Sequence, residues 1–181
     1  MKRPRHVKER LVYQGAIIRL VREELSYQGR RLIRETVRHP GAVVVLPVLN
    51  DGRIVLVRQY RHAVRRDLLE LPAGTRDHKG EPPATTARRE LEEETGWVAK
   101  RLKRLLTFYA APGVLSEQMI LYLATGLRYT KARPEPDECL EPVLLSLPQA
   151  LAKLRSGHIC DAKTIIGVLL ARDLFQHKVA I

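Results

Sequence analysis

Cysteine is scarce in these 181 residues: Cys139 and Cys160 are the only two, and they lack the short paired spacing of a metal site. No stretch approaches the roughly 20 apolar residues that a membrane span needs. The opening decade, residues 1–10, is basic and polar without an apolar core, so it does not read as a secretory signal. Together these absences predict a reduced, cytoplasmic protein with no membrane partner. Asparagine is nearly missing, with Asn50 alone, while arginine is abundant, a balance that fits a heat-adapted source. There is no internal repeat and no linker long enough to divide the chain, whose length suits one well-buried domain.

What is present is a globular balance of 45% hydrophobic and 29% charged residues, with a formal net charge of +12. That charge favours anionic partners such as nucleotides, phosphates or nucleic acid. The arginines are scattered along the whole chain, which argues against a dedicated nucleic-acid surface.

The first part reads as β. Residues 16–25 and 31–37 are strand-like and are joined by the turn "SYQGR" around Gly29. "GAVVVLPVL" reads as a buried strand, "NDG" as a hairpin turn and "RIVLVRQY" as the partner strand. "LLELPAG" is a short strand ending in a glycine loop, and "TRDHKG" is a further loop. Pro82 and Pro83 mark a helix start, and Gly96 stands in the usual C-terminal glycine place. "RLKRLLTFYA" and "QMILYLATGL" predict two more strands around the loop "APGVLSE", and "TKARPEPDE" is a polar connection. "CLEPVLLSL" predicts a last strand, and helices follow at "LPQALAKLRSG" and "DAKTIIGVLLARDLF". The fold class is therefore mixed α/β: sheet first, one acidic helix in the middle, helices last.

That middle helix carries "ARRELEEETGW", an acidic run in a basic protein. Residues three and four apart share a helix face, so Glu90, Glu93 and Glu94 converge there. Like charges at that spacing destabilise a helix by a few tenths of a kcal/mol per pair. A divalent cation removes the penalty, and magnesium or manganese prefers such hard oxygen ligands and often shares phosphate oxygens. The plainer alternative is neutralisation by Arg88 and Arg89.

Gly74, Glu81 and the run from Arg89 to Trp97 resemble the Nudix box, the signature of the Nudix hydrolases. Every defined position from Arg89 to Gly96 matches, and so does the spacing from Glu81 to Arg89. Six residues rather than five separate Gly74 from Glu81, an extra residue assigned to the "TRDHKG" loop, where insertion is cheap. The resemblance implies an α/β/α sandwich around a mixed β-sheet, hydrolysis of a nucleoside diphosphate derivative, and Mg2+ or Mn2+ as cofactor. It implies Glu90 and Glu94 as main metal ligands, Glu93 as a further ligand or water holder, and the Ala73 carbonyl as a backbone ligand. Glu81 and Arg89 become braces, and Glu92 a solvated glutamate.

Outside the box, "VRQYR", "LLELPAG" and "APG" resemble the ADP-ribose pyrophosphatase branch, with Pro112 sixteen residues after Gly96. This likeness implies a diphosphate or ribose contact for Arg61, and contacts from Arg34 and Glu35 to the adenine end, often of the partner subunit. It implies Glu117 as a catalytic base, with Glu93 as the rival. Each also reads as an ordinary surface charge. The branch contains hydrolases of GDP-mannose and related sugar nucleotides, so these remain alternatives; an RNA-binding protein and a silent Nudix-fold regulator are alternatives of another kind. The likeness further implies a homodimer. Residues 1–40 would be dimerising N-terminal strands, an extra antiparallel hairpin whose Ile17, Ile18, Leu20, Val21, Leu32, Ile33 and Val37 need a surface to cover. Residues 41–181 would be the Nudix hydrolase domain.

Overall fold

The computed structural model of the chain describes residues 1–133 and 139–176, so part of the polar connection expected at 130–138 lies outside the described residues. Contacts divide the chain into two units, one of Met1–Ala42 with Phe108–Met119, the other of Val43–Thr107 with the chain from Ile120 onward.

The first unit holds three strands where two were expected. β1 (Arg5–Gln14), β2 (Arg19–Tyr27) and β3 (Arg30–Arg38) form an antiparallel sheet in that order. β1 eluded the sequence reading because every one of its residues is exposed and charged residues interrupt its apolar ones. Two register irregularities, between His6 and Lys8 and between Leu11 and Tyr13, further break the period of two. Residues 16–18, expected in the second strand, instead belong to the connection before it, where the Gly15 amide donates to the Ile18 carbonyl at 2.9 Å. The β2–β3 turn is as the sequence indicates: Gln28 and Gly29 take φ of 51° and 75°, the left-handed pair of a tight hairpin. Val21 is buried, but Ile17 and Ile18 of the connection stay exposed, as do Val7, Leu11, Val12 and Tyr13 of the unforeseen strand.

Beyond the first three strands, β4 (Ala42–Pro47) and β5 (Ile54–Arg61) flank the "NDG" turn as expected but do not remain partners. They share one isolated bridge, Val48 to Ile54, and then enter different sheets. One sheet has the order β10–β5–β6, with β6 at Arg66–Glu70 and β10 at Leu140–Leu145. The other has the order β7–β4–β9–β8, with β7 at Ala73–Thr75, β8 at Trp97–Tyr109 and β9 at Gln118–Tyr129. Pro72 lies between β6 and β7, so "LLELPAG" is two strands in two sheets; its carbonyl accepts from the Val45 amide at 2.9 Å.

Helix α1 (Pro83–Thr95) starts and stops as the sequence predicts: a proline leads the first turn, and Gly96 ends the helix at φ 73° with its amide on the Glu92 carbonyl. Its Ala87 and Leu91 pack into a buried cluster with Val43, Val45, Val55, Ile120, Tyr122 and Ala124. Val44 and Leu46 alternate to the opposite side of β4 and are equally buried. Helix α2 (Leu147–Arg155) opens with a capping box between Ser146 and Gln149 and packs on α3 (Ala162–Gln176), which lies against β6. Buried residues on both sides of β4, one side under α1, explain why its six residues are apolar without alternation. Leu91→Ala should cost about 2–5 kcal/mol of stability in urea unfolding, since Leu91 is wholly buried and its loss leaves a cavity.

Candidate active site

The acidic face of α1 lies beside β7. Glu94 is only 2% exposed, and the Ala73 amide donates to its carboxylate at 3.2 Å. Glu90 sits against Gly74, where any Cβ would collide with the Glu90 carboxylate. The glycine of the "PAG" loop is thus required by space, since it leaves room for the glutamate. Glu93 is about a third exposed and accepts from Arg89 Nη1 at 2.9 Å. Glu92, one residue away, is exposed, as the helix phase requires.

Arg89 binds across this face. Its Nη2 lies 2.9 Å from Glu90 and 3.8 Å from Glu81, while Nη1 holds Glu93. Burial works against the Arg89 charge, but the three carboxylates outweigh it and hold its pKa above the ordinary value. Glu81 also accepts from the Thr86 hydroxyl at 2.7 Å, which ties the loop before the helix to its first turn. Arg88 points elsewhere and donates to the Ala99 carbonyl. The loop before the helix contains a turn in which the Glu81 amide donates to the His78 carbonyl and Gly80 adopts φ 85°.

Arg61 closes the acidic end. Its Nε and Nη2 donate to both oxygens of Glu70, at 2.9 and 2.7 Å. That fork raises the Arg61 pKa first of all, burial opposes it, and the charges of Glu70, Glu94 and Asp161 add to it. Glu70 is buried, and burial by itself would raise its pKa; the Arg61 hydrogen bonds and the Lys163 ammonium overcome this and leave it lowered. Lys163 donates to Glu70 as well and lies 3.1 Å from Asp161. Neither Glu70 nor Lys163 was foreseen. The available signal was a carboxylate in an otherwise apolar run two residues ahead of Pro72, and a lysine in the first turn of an apolar helix.

Ala73, Glu90, Glu93, Glu94 and Arg61 therefore all belong to the second unit, and Arg34, Glu35 and Glu117 to the first. Arg34 and Glu35 are exposed neighbours on β3, opposite Glu23 and Arg22 of β2. Glu117 is largely buried, 3.5 Å from His39 Nδ1. Its loop is tied to β3 by Val37 and to the segment after β3 by His39: the Val37 amide donates to the Val114 carbonyl, the Ser116 amide to the Val37 carbonyl, and the His39 amide to the Ser116 hydroxyl. His6, Glu9 and Glu23 also bring potential ligand atoms within 4.8 Å, but Arg38 already bridges the two carboxylates at 3.0 and 2.9 Å.

The model of the NUDIX domain matches residues 37–165, and the chain belongs to the Nudix family of hydrolases. Among relatives, it is 39% identical over 160 residues to an ADP-ribose pyrophosphatase of Bacillus subtilis, covering 87% of this chain and 86% of the relative. It is 37% identical over 177 residues to a methanol dehydrogenase activator of Bacillus methanolicus, covering 95% of both. A solved ADP compounds hydrolase shares its fold with a TM-score of 0.86 at 22% identity, across 100% of this chain and 98% of that one.

Two outcomes are expected from this geometry. Gly74→Ala should push the Glu90 carboxylate out of place and lower turnover at least about tenfold, roughly 1.4 kcal/mol of barrier, with little change in the unfolding midpoint. The lowered Glu70 pKa means that the unfolded chain takes up that proton first, so the pairing adds stability above pH 4.5 and loses it as pH falls through the folded-state value. Urea unfolding from pH 7 to pH 3 should therefore show a steeper acid loss in the unmodified protein than in Glu70→Gln.

Proposed function

We propose that this Nudix hydrolase cleaves the pyrophosphate bond of ADP-ribose, giving AMP and ribose 5-phosphate. The observation that carries this reading is the seating of Glu90 and Glu94 against the backbone of Gly74 and Ala73, with Arg61 beside them. The similarity to the Bacillus subtilis pyrophosphatase supports the choice of ADP-ribose.

The donor set suits a divalent cation: carboxylates of Glu90, Glu93 and Glu94 with the Ala73 carbonyl are hard oxygen ligands, and Gly74 leaves the gap in which Glu90 sits. Mg2+ or Mn2+ held there supplies a Lewis acid for the bridging phosphates and an acidified water. Arg61 spends Nε and Nη2 on Glu70 and keeps Nη1 for a phosphate oxygen, its side chain being 38% exposed. Arg89 is committed to the helix carboxylates and acts as their brace. Glu93 orients and deprotonates the attacking water, with Glu117 as the competing base; replacing each by glutamine decides between them. In the proposed homodimer, Arg34 or Glu35 lies near the adenine end of the nucleotide bound by the other subunit.

Residues 1–40 form the dimerising part of a homodimer and residues 41–181 the hydrolase domain. The exposed Val7, Leu11, Val12, Tyr13, Ile17 and Ile18 support this, because a small sheet with so much uncovered apolar surface favours a partner. Sedimentation at micromolar concentration should give a dimer, and a fully active monomer would reject the shared assembly.

Hydrolysis should vanish with a chelator and return with magnesium or manganese. Glu90→Gln and Glu94→Gln should each lower turnover by at least about 10²-fold, or about 2.7 kcal/mol, while Glu92→Gln stays near neutral. A substrate panel with ADP-ribose and GDP-mannose tests the choice of nucleotide; preference for the mannose compound would overturn it.

A further inference from the structure

The three charges behind Arg61, on Glu70, Lys163 and Asp161, form a chain that the catalytic reading leaves unused. Asp161 caps α3: its carboxylate accepts from the Thr164 amide at 3.0 Å and the Thr164 hydroxyl at 2.6 Å, and it lies 3.1 Å from Lys163 Nζ. Lys163 donates to Glu70 Oε2, the same oxygen that receives Arg61 Nη2. The Thr164 hydroxyl in turn accepts from the Leu71 amide at 2.7 Å. One helical turn thus grips the chain at Glu70 and Leu71, two residues before the Ala73 peptide.

Stability alone gives a poor reason for this arrangement. Burying an ion pair is often no better than packing apolar residues in its place. Lys163 is 7% exposed at its side chain and Glu70 is 1% exposed, so both ions are taken out of water. Their effect on Arg61 is specific. A guanidinium is planar, so two bonds to one carboxylate fix its plane and the direction of its remaining N–H groups. A carboxylate held by a second cation cannot turn away. Lys163 also offsets one of the two carboxylate charges, Glu70 and Asp161, that act on Arg61.

We propose that Lys163 is a positioning residue for substrate binding: through Glu70 it sets the orientation and the effective charge of Arg61 toward the diphosphate. This rests on the reading of Arg61 as a diphosphate contact. It goes beyond that reading by assigning a role to a residue of the last helix that touches no substrate.

The test is a double-mutant cycle on steady-state hydrolysis of ADP-ribose with Lys163→Met, Lys163→Arg, Arg61→Ala and the Lys163→Met/Arg61→Ala pair. Lys163→Met should raise KM about tenfold and leave kcat within about threefold, and Lys163→Arg should restore most of the affinity. In the Arg61→Ala background, Lys163→Met should change KM by less than about twofold, because the group it positions is gone. Equal effects in both backgrounds would overturn the proposal, as would a fall in kcat and thermal midpoint with KM unchanged. If Lys163→Met does not fold, Lys163→Gln, which removes the charge and keeps the Glu70–Arg61 fork, carries the same comparison. An Arg61→Ala protein with unchanged KM rejects the Arg61 reading and the proposal with it. If the unmodified protein turns over no ADP-ribose, the substrate reading fails by itself, and the same cycle is then read on ADP affinity by calorimetry, with the same non-additivity expected and simple additivity overturning the proposal.

Discussion

The site depends on holding negative charge in a confined place. Glu90, Glu93 and Glu94 lie on neighbouring positions of one helix face, where their repulsion opposes helix formation. The fold answers with three kinds of partner. A backbone amide from Ala73 meets Glu94, the guanidinium of Arg89 spans Glu90 and Glu93, and Gly74 removes the side chain that would collide with Glu90. None of these works unless α1 is fixed along and about its axis. Leu91 and Ala87 provide that by burial, Thr86 and Glu81 pin the first turn, and Gly96 permits the sharp exit.

The segment from Glu70 to Thr75 is the other half of the constraint. It leaves one sheet and enters another within a few residues, and Pro72 contributes no amide to either. Such a crossing would be loosely held by strand pairing alone. It is gripped instead by two helices: the start of α3 holds Glu70 and Leu71, and α1 holds the Ala73 amide through Glu94. A short stretch with both flanks tied would suit the backbone ligand of the proposed function and the arginine beside it, because sites lose rate steeply when their groups drift by an ångström.

How much of this was legible varies with the range of the interaction. The limits of α1 could be read because proline at the start and glycine at the end act locally, on φ and on missing amides. The convergence of three glutamates followed from helical spacing. What escaped was set by distant partners. β1 has no apolar period of its own and exists because β2 offers it an edge. β4 and β5 look like one hairpin, yet each finds a better neighbour in a different sheet. Glu70 and Lys163 are 93 residues apart, and nothing local marks either as the partner of the other. The alternatives for the acidic run were bound metal or neutralising arginine; Arg89 meets the carboxylates while Arg88 serves the Ala99 carbonyl.

Arg89 and the divalent cation of the proposed function would make competing demands on the same oxygens. An ionised carboxylate has lone pairs for more than one donor, so both can be served, but each weakens the hold of the other. Arg89 stays charged throughout, its pKa being raised further by the carboxylates around it. It therefore stabilises the helix face by itself, at what would be some cost in affinity for the proposed cation. On the proposed function, that balance suits carboxylates that must be held in place before a divalent cation binds. The rest of the chain is strongly basic and favours anionic partners, and this small acidic surface stands apart within it.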